Sequence, residues 1–175
     1  MSTTETATAT TAATTDTVHV FRVYIKASPE AIWEAITSAD WNGRYGYHMA
    51  GSFDLKPGGR YECRANDEMK QMGMPDVLVD GEVLESDPPR KLVQTWKMHF
   101  MPEQDAEPYT TLTYDIEPEG DTLTRLTVTH DVAGAPNHAS QITPGDGKLA
   151  EGAGGWAWIL SDLKTLLESG DALEM

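Results

Sequence analysis

Apolar and polar residues alternate over the first patterned stretch of the chain, VHVFRVYIK, at residues 18–26. Phe21, Val23 and Ile25 share one face of this stretch, whereas Arg22 lies on the other. A period of two residues is typical of a β-strand with one buried face. The pattern therefore predicts that the fold begins with a strand.

Two short helices are predicted after this strand. Ser28 suits an N-cap, because its hydroxyl oxygen can accept a hydrogen bond from a backbone N–H of the first turn. Pro29 suits the first helical position, and Ile32 and Ile36 then recur at helical spacing. A second helix or helical turn is predicted at residues 39–44.

Strand-like segments and turn residues alternate from Gly51 to Val132. Clusters of proline and glycine, such as KPGG at residues 56–59, interrupt the alternation and indicate turns. The strands are predicted at residues 52–55, 60–65, 81–85, 92–101, 110–117 and 122–132. The polar segments between some of these strands are predicted to be loops, at residues 66–76, 102–108 and 133–147.

The first of these loops carries Met69, Met72 and Met74. Methionine side chains are flexible and adapt to irregular apolar surfaces. The three residues are candidates for an adaptable apolar lip, and an ordinary surface loop is the alternative.

The end of the chain predicts one long amphipathic helix at residues 155–169. Its apolar stripe recurs at helical spacing and consists of Trp156, Ile159, Leu160, Leu163, Leu166 and Leu167. Ser161, Asp162 and Thr165 are assigned to the opposite, solvent-facing side. Gly170 is a suitable C-cap, because glycine tolerates the left-handed conformation that commonly ends a helix.

Several segments match the pattern of a known superfamily in order and spacing. They are Ser28 to Trp33, Pro57 to Tyr61, Gly81 to Glu85, Pro88 to Leu92, Thr124 to His130 and the final helix. With them the chain resembles the START-like superfamily, also called SRPBCC or Bet v-like. More narrowly, it resembles bacterial relatives of the C-terminal domain of the heat-shock-protein-90 ATPase activator.

The resemblance implies an α+β helix-grip fold. In this fold a curved antiparallel sheet wraps around the long C-terminal helix, two short helices follow the first strand, and a cavity lies between sheet and helix. Members of the superfamily include lipid and hormone binders, polyketide cyclases and co-chaperone domains. The resemblance therefore indicates a fold more firmly than it indicates a function.

The length of 175 residues suits one domain. Residues 1–16 are nearly all threonine, alanine and glutamate, and such a segment cannot recover the entropy that it loses on ordering. We therefore expect a disordered tail over residues 1–16 and a START-like domain over residues 17–170.

Charge and composition exclude several classes of partner. The formal net charge of −15 disfavours nucleic acids and anionic membranes. No apolar run is long enough to cross a bilayer, the first residues lack the basic and apolar regions typical of a secretory signal, and Cys63 is the only cysteine. No close metal-ligand spacing is present. We expect a cytoplasmic protein without a metal or cofactor, either a monomer or a homodimer.

Seven residues are predicted to line the cavity. They lie on the apolar faces of the central strands and on the inner face of the last helix, namely Trp96, Met98, Phe100, Tyr114, His130, Trp156 and Leu160. Aromatic side chains with one polar atom suit the walls of a small-molecule site. For any single residue, simple core packing is the alternative.

His130 alternates with Leu126, Val128 and Val132, so it is predicted to point to the apolar side of its strand. A buried imidazole needs hydrogen-bond partners. It is either a structural histidine satisfied by a neighbouring strand, or a polar anchor or general base in the cavity. No Ser-His-Asp order, nucleophile elbow or phosphate loop is present, so no catalytic residue is assigned.

Three functions are compatible with these patterns. The leading hypothesis is the binding of a small apolar or amphipathic molecule between the sheet and the last helix. The first alternative is a protein-interaction domain of the co-chaperone type, with a chaperone as partner. The second alternative is a cyclase- or hydrolase-type enzyme that uses His130.

Overall fold

The computed structural model of the chain describes residues 17–174. The predicted disordered tail, residues 1–16, lies outside this range. Seven strands and six helices follow one another as β1 (Val18–Ile25), α1 (Pro29–Thr37), α2 (Ala39–Asn42), β2 (Ala50–Phe53), β3 (Arg60–Arg64), α3 (Asp67–Gln71), β4 (Val77–Asp87), β5 (Lys91–Met98), α4 (Pro102–Asp105), β6 (Thr110–Pro118), β7 (Thr124–Asp131), α5 (Pro136–Ile142) and α6 (Gly155–Ser169). A single 3₁₀ turn at Leu149–Glu151 precedes α6.

The seven strands form one antiparallel sheet in the order β1-β7-β6-β5-β4-β3-β2. The first strand in the chain therefore pairs with the last, and Val18 lies opposite Asp131. The register shifts between Cys63 and Arg64 on β3, and between Val83 and Glu85 on β4. Such shifts bend a sheet and increase its twist. The predicted helix-grip fold is confirmed.

The inward face of the sheet carries the apolar core. The strict alternation on β5 buries Leu92, Gln94, Trp96 and Met98 and leaves the residues between them partly exposed. The neighbouring strand β6 alternates in the same way, and β7 does so except at Thr127, which is also buried. Helix α6 packs on this side of the sheet through buried residues that include Trp156, Leu160, Leu163 and Leu166.

The helix boundaries agree closely with the sequence pattern. The Ser28 hydroxyl accepts a hydrogen bond from the Ala31 N–H at 3.2 Å, which confirms the predicted N-cap of α1. Gly170 has a φ of 89° and donates its N–H to the Leu166 carbonyl, which confirms the predicted C-cap of α6.

The prediction for Asp162 was wrong. Its side chain is fully buried, whereas the sequence pattern assigned it to the solvent-facing side of α6. Its carboxylate accepts hydrogen bonds from the backbone N–H groups of Gly46, at 2.8 Å, and Leu173, at 2.6 Å. Both donors lie outside the helix, and therefore the helical period could not reveal them.

The three predicted loops each contain a short helix. Helix α3 begins where the Asn66 side chain accepts a hydrogen bond from the Met69 N–H. Helix α5 begins where Glu107, 30 residues earlier, accepts the Asn137 N–H at 2.7 Å. The N-terminal cap of α5 thus comes from a distant segment, which a local pattern cannot show.

Gly155 begins α6 with a φ of 54°, a conformation that favours glycine. A Cβ atom at this position would lie 2.3 Å from the Ile142 carbonyl oxygen. Gly170 also has a positive φ, but a Cβ atom there would meet nothing within 4 Å. A comparison of substitutions at Gly155 and Gly170 therefore separates the cost of backbone strain from the cost of a steric clash.

We expect Gly155→Ala to lower the free energy of unfolding by about 3 kcal/mol, because strain and clash add at this position. Gly170→Ala should cost about 1 kcal/mol, the strain alone. Urea unfolding monitored by tryptophan fluorescence measures both. Equal losses for the two variants would show that the close approach of α6 to Ile142 is not a real constraint.

Candidate functional site

A cavity of about 660 Å³ lies between the concave face of the sheet and α6. Strands β2 to β7 supply one wall, and α6 supplies another through Trp156, Ile159, Leu160 and Leu163. The loop at residues 45–49 closes one side. The cavity occupies the position that a helix-grip fold provides between its sheet and its last helix.

Six of the seven residues predicted from the sequence lie against this cavity, namely Trp96, Met98, Phe100, Tyr114, Trp156 and Leu160. His130 does not line it. Sequence reasoning missed the wall formed by β2, β3 and the preceding loop, which includes Tyr45, Tyr47, Met49, Phe53, Tyr61 and Cys63. The alternation of Tyr61 and Cys63 on the apolar face of β3 was a signal for part of this wall.

His130 is fully buried, and both ring nitrogens are engaged. Nδ1 accepts a hydrogen bond from the Trp156 indole N–H at 3.2 Å, and Nε2 lies 2.8 Å from the Thr110 hydroxyl. Because that hydroxyl donates its hydrogen to the Trp96 carbonyl, His130 donates from Nε2. Burial lowers the pKa of His130 to about 3. The ring is therefore a neutral structural link between β7, β6 and α6, and it is not placed to act as a base in the cavity.

A second buried histidine is engaged in the same way. The His138 Nε2 atom accepts the Met98 N–H at 3.0 Å, so its Nδ1 carries the proton and donates to Glu107 at 2.5 Å. Burial raises the pKa of Glu107, but hydrogen bonds from Asn137 and His138 outweigh it, and the pKa is lowered overall. This carboxylate and imidazole pair joins α5 to the sheet and leaves no ring nitrogen for a substrate.

His99 lies outside the cavity, between two carboxylates. Its Nε2 atom is 2.8 Å from Asp80 Oδ1, and its Nδ1 atom is 2.5 Å from Asp105 Oδ1. Burial lowers the pKa of His99, but the bonds to Asp80 and Asp105 outweigh it, and the pKa is raised overall. His48 does line the cavity, and its Nδ1 atom lies 3.2 Å from the Gly43 carbonyl oxygen.

The phenols and the thiol of the inner wall are uncharged, whereas Glu68, Glu151 and His48 line the exposed part of the cavity. Burial raises the pKa of the Cys63 thiol to about 11, and it raises the pKa values of the Tyr45, Tyr61 and Tyr114 phenols. Tyr45 donates its hydroxyl hydrogen to the Ala35 carbonyl at 3.1 Å. Within residues 17–174, the Tyr114 hydroxyl has no hydrogen-bond partner. The inner wall thus presents neutral phenols rather than nucleophiles or bases.

Exposed apolar residues surround the mouth of the cavity. Met69, Met72 and Met74, the three methionines of the predicted lip, all line it. Met72 is 66% exposed, and Leu149, which also lines the cavity, is 39% exposed. These flexible side chains lie where a ligand would enter.

The described part of the chain contains no group of three or more His, Cys, Asp or Glu side chains arranged to hold a metal ion. Across the same residues, no helix combines the length and the apolar character needed to cross a membrane.

Residues 26–168 match the model of the family described as activator of Hsp90 ATPase homolog 1-like protein. No curated protein matches the chain. Many solved structures are similar to this chain, and three of them illustrate the likeness. CalU16 from Micromonospora echinospora is 21% identical, with 89% of this chain and 76% of that chain covered and a TM-score of 0.61.

An HSP90 activator from Plasmodium falciparum is 22% identical, with 86% of this chain and 96% of that chain covered and a TM-score of 0.60. The Aha1 dimer from Colwellia psychrerythraea is 20% identical, with 87% of this chain and 97% of that chain covered and a TM-score of 0.54. At these identities, the likeness to the three structures shows a common fold and no more.

The opposite pKa shifts of His130 and His99 give a direct check on the hydrogen bonds that surround these two rings. At pH 5 the ring nitrogens of His130 should show the chemical shifts of a neutral imidazole protonated at Nε2. At pH 6.5 more than half of His99 should be protonated, because its pKa is raised above 6.5. Long-range ¹H–¹⁵N spectra of the protein measure both, with His99→Asn used to assign the His99 signals. A His130 ring that titrates near its ordinary pKa would contradict the buried network.

Proposed function

The chain belongs to the family of activator of Hsp90 ATPase homolog 1-like proteins, and from this premise we propose that it binds a small apolar or amphipathic molecule in the cavity between its sheet and α6. The observation that supports the proposal most directly is the cavity itself. Its volume of about 660 Å³ lies within the usual range for small-molecule sites, roughly 300–1,000 Å³.

The lining of the cavity supports an apolar ligand. The interior is built from aromatic, aliphatic and methionine side chains, among them Phe53, Trp96, Met98, Trp156 and Leu160. Removing apolar surface from water contributes roughly 25 cal/mol per Å² of buried area. A ligand that fills this space would therefore bind mainly through its apolar surface, and a few polar groups would set its orientation.

The chemistry of the site favours binding over catalysis. Both ring nitrogens of His130 and His138 are engaged by other groups of the protein. The Cys63 thiol, with its pKa raised to about 11, is a poor nucleophile at neutral pH. A catalytic base needs a free nitrogen or carboxylate within reach of the reacting atom. The second alternative, an enzyme that uses His130, is therefore the weakest of the three.

The family name supports a second candidate, interaction with a chaperone of the Hsp90 type. This role needs an exposed contact surface and does not require the cavity. Because a chaperone role does not require the cavity, a variant that fills the cavity separates the two functions by experiment. Whether the chain acts as a monomer or a homodimer stays a prediction.

Cys63→Phe should close part of the cavity, because Cys63 lies on the inward face of β3. Nile red, an uncharged dye that fluoresces in apolar sites, should bind to the unmodified protein. We expect the Cys63→Phe variant to bind Nile red about 10-fold more weakly, which corresponds to a loss of about 1.4 kcal/mol in binding free energy. Fluorescence titration measures the two dissociation constants.

Thr111→Phe is the matched control, because Thr111 lies exposed on the outer face of β6. It should leave the dye affinity unchanged. Leu160→Phe, from the opposite wall, is a second variant in case Cys63→Phe does not fold, which circular dichroism would reveal. Absence of dye binding to the unmodified protein, together with a changed ATPase rate of an Hsp90-type chaperone, would favour the chaperone role instead.

A further inference from the structure

We propose that the natural ligand is an uncharged aromatic molecule that carries a hydrogen-bond acceptor, such as an aryl ketone oxygen, directed at the Tyr114 hydroxyl. This inference rests on the proposed function and names the chemical class of its ligand. It is drawn from three features of the cavity, namely its charges, its aromatic content and its one buried phenol that has no acceptor within residues 17–174.

The charges of the lining disfavour an anion. No lysine or arginine lines the cavity. The ionised side chains of the lining are Glu68 and Glu151, and both lie in exposed positions at the mouth. The chain also has a formal net charge of −15. A carboxylate or sulfonate ligand would therefore lose its hydration without gaining a countercharge, which is costly.

A cation is disfavoured in the inner part of the cavity for the same reason. The polar groups there are the Tyr45, Tyr61 and Tyr114 phenols and the Cys63 thiol, whose pKa values burial raises, so they stay neutral. The two glutamates at the mouth would attract a cation to the surface of the protein, but no carboxylate lines the inner wall.

The aromatic content of the lining favours a flat, polarisable ligand. Eight of the 14 aromatic residues of the chain line the cavity, as do five of its eight methionines. Aromatic rings pack well against other rings in offset or edge-on geometry, and methionine sulfur also makes favourable contacts with rings. Tyr114 and Trp156 already form such an edge-on pair, with centroids 5.9 Å apart.

Tyr114 supplies the polar contact. It lines the cavity, 9% of its surface remains accessible, and its hydroxyl donates to no group within residues 17–174. Two other buried donors of the lining are engaged within the protein. The Tyr45 hydroxyl donates to Ala35, and the Trp156 indole donates to His130. A largely buried phenol without an acceptor is most stable when a ligand provides one.

Four matched probes test this inference. Benzophenone is uncharged and has a carbonyl acceptor, whereas diphenylmethane has the same two rings and no acceptor. 4-Benzoylbenzoate adds a negative charge, and (4-benzoylbenzyl)trimethylammonium adds a positive one. Quenching of tryptophan fluorescence in the full-length protein gives the dissociation constants.

We expect benzophenone to bind about 5-fold more tightly than diphenylmethane, the effect of one neutral hydrogen bond. Both charged probes should bind at least 10-fold more weakly than benzophenone. In Tyr114→Phe, which removes only the hydroxyl oxygen, the preference for benzophenone should disappear. Tyr24→Phe is the control, because Tyr24 is exposed on β1 outside the cavity, and it should keep the preference.

Each outcome has a distinct meaning. If a charged probe binds as tightly as benzophenone, or if Tyr114→Phe keeps the 5-fold preference, the ligand class is wrong while the cavity remains a binding site. If none of the four probes binds and Nile red also fails to bind, the proposed function itself is wrong.

Discussion

The hydrogen bonds that the buried Asp162 carboxylate accepts are the contacts on which the rest of the structure depends. A buried charge is costly unless strong donors surround it, and here the backbone N–H groups of Gly46 and Leu173 do so at 2.8 and 2.6 Å. Asp162 can be buried only where the Gly46 N–H donates a hydrogen bond to its carboxylate. This requirement fixes the position of α6 relative to the loop at residues 45–49. The Trp158 indole, which donates to the Gly46 carbonyl at 3.2 Å, strengthens the same contact.

This attachment explains why a cavity remains beneath the helix. Further polar contacts tie α6 to the edge strand β1, where Lys164 donates to the Tyr24 carbonyl, and to β7, where Trp156 donates to His130. These anchors lie on one side of the sheet and on the loop. Strands β3, β4 and β5 bend around the space that is left, and their inward side chains line it.

The sequence predicted the fold and much of the cavity, because both follow from local periodicity and from a superfamily pattern. Trp96 and Met98 alternate on one strand face, and Trp156 and Leu160 share one helix face, so their convergence was predictable. The position of His130 relative to the cavity could not be predicted from the sequence. Its strand face was correct, but the Thr110 and Trp156 side chains that enclose it come from 20 and 26 residues away. Asp162 and Glu107 escaped prediction for the same reason, since distant backbone groups satisfy each of them.

The central claim is that an open, apolar space lies between α6 and the concave face of the sheet. Xenon enters apolar cavities without needing any specific polar contact. A crystal of this protein pressurised with xenon tests the claim most directly. The account predicts xenon between Trp156 and Leu160 on the helix and Met98 and Tyr114 on the sheet. A crystal structure in which these side chains touch one another and xenon binds elsewhere would contradict it.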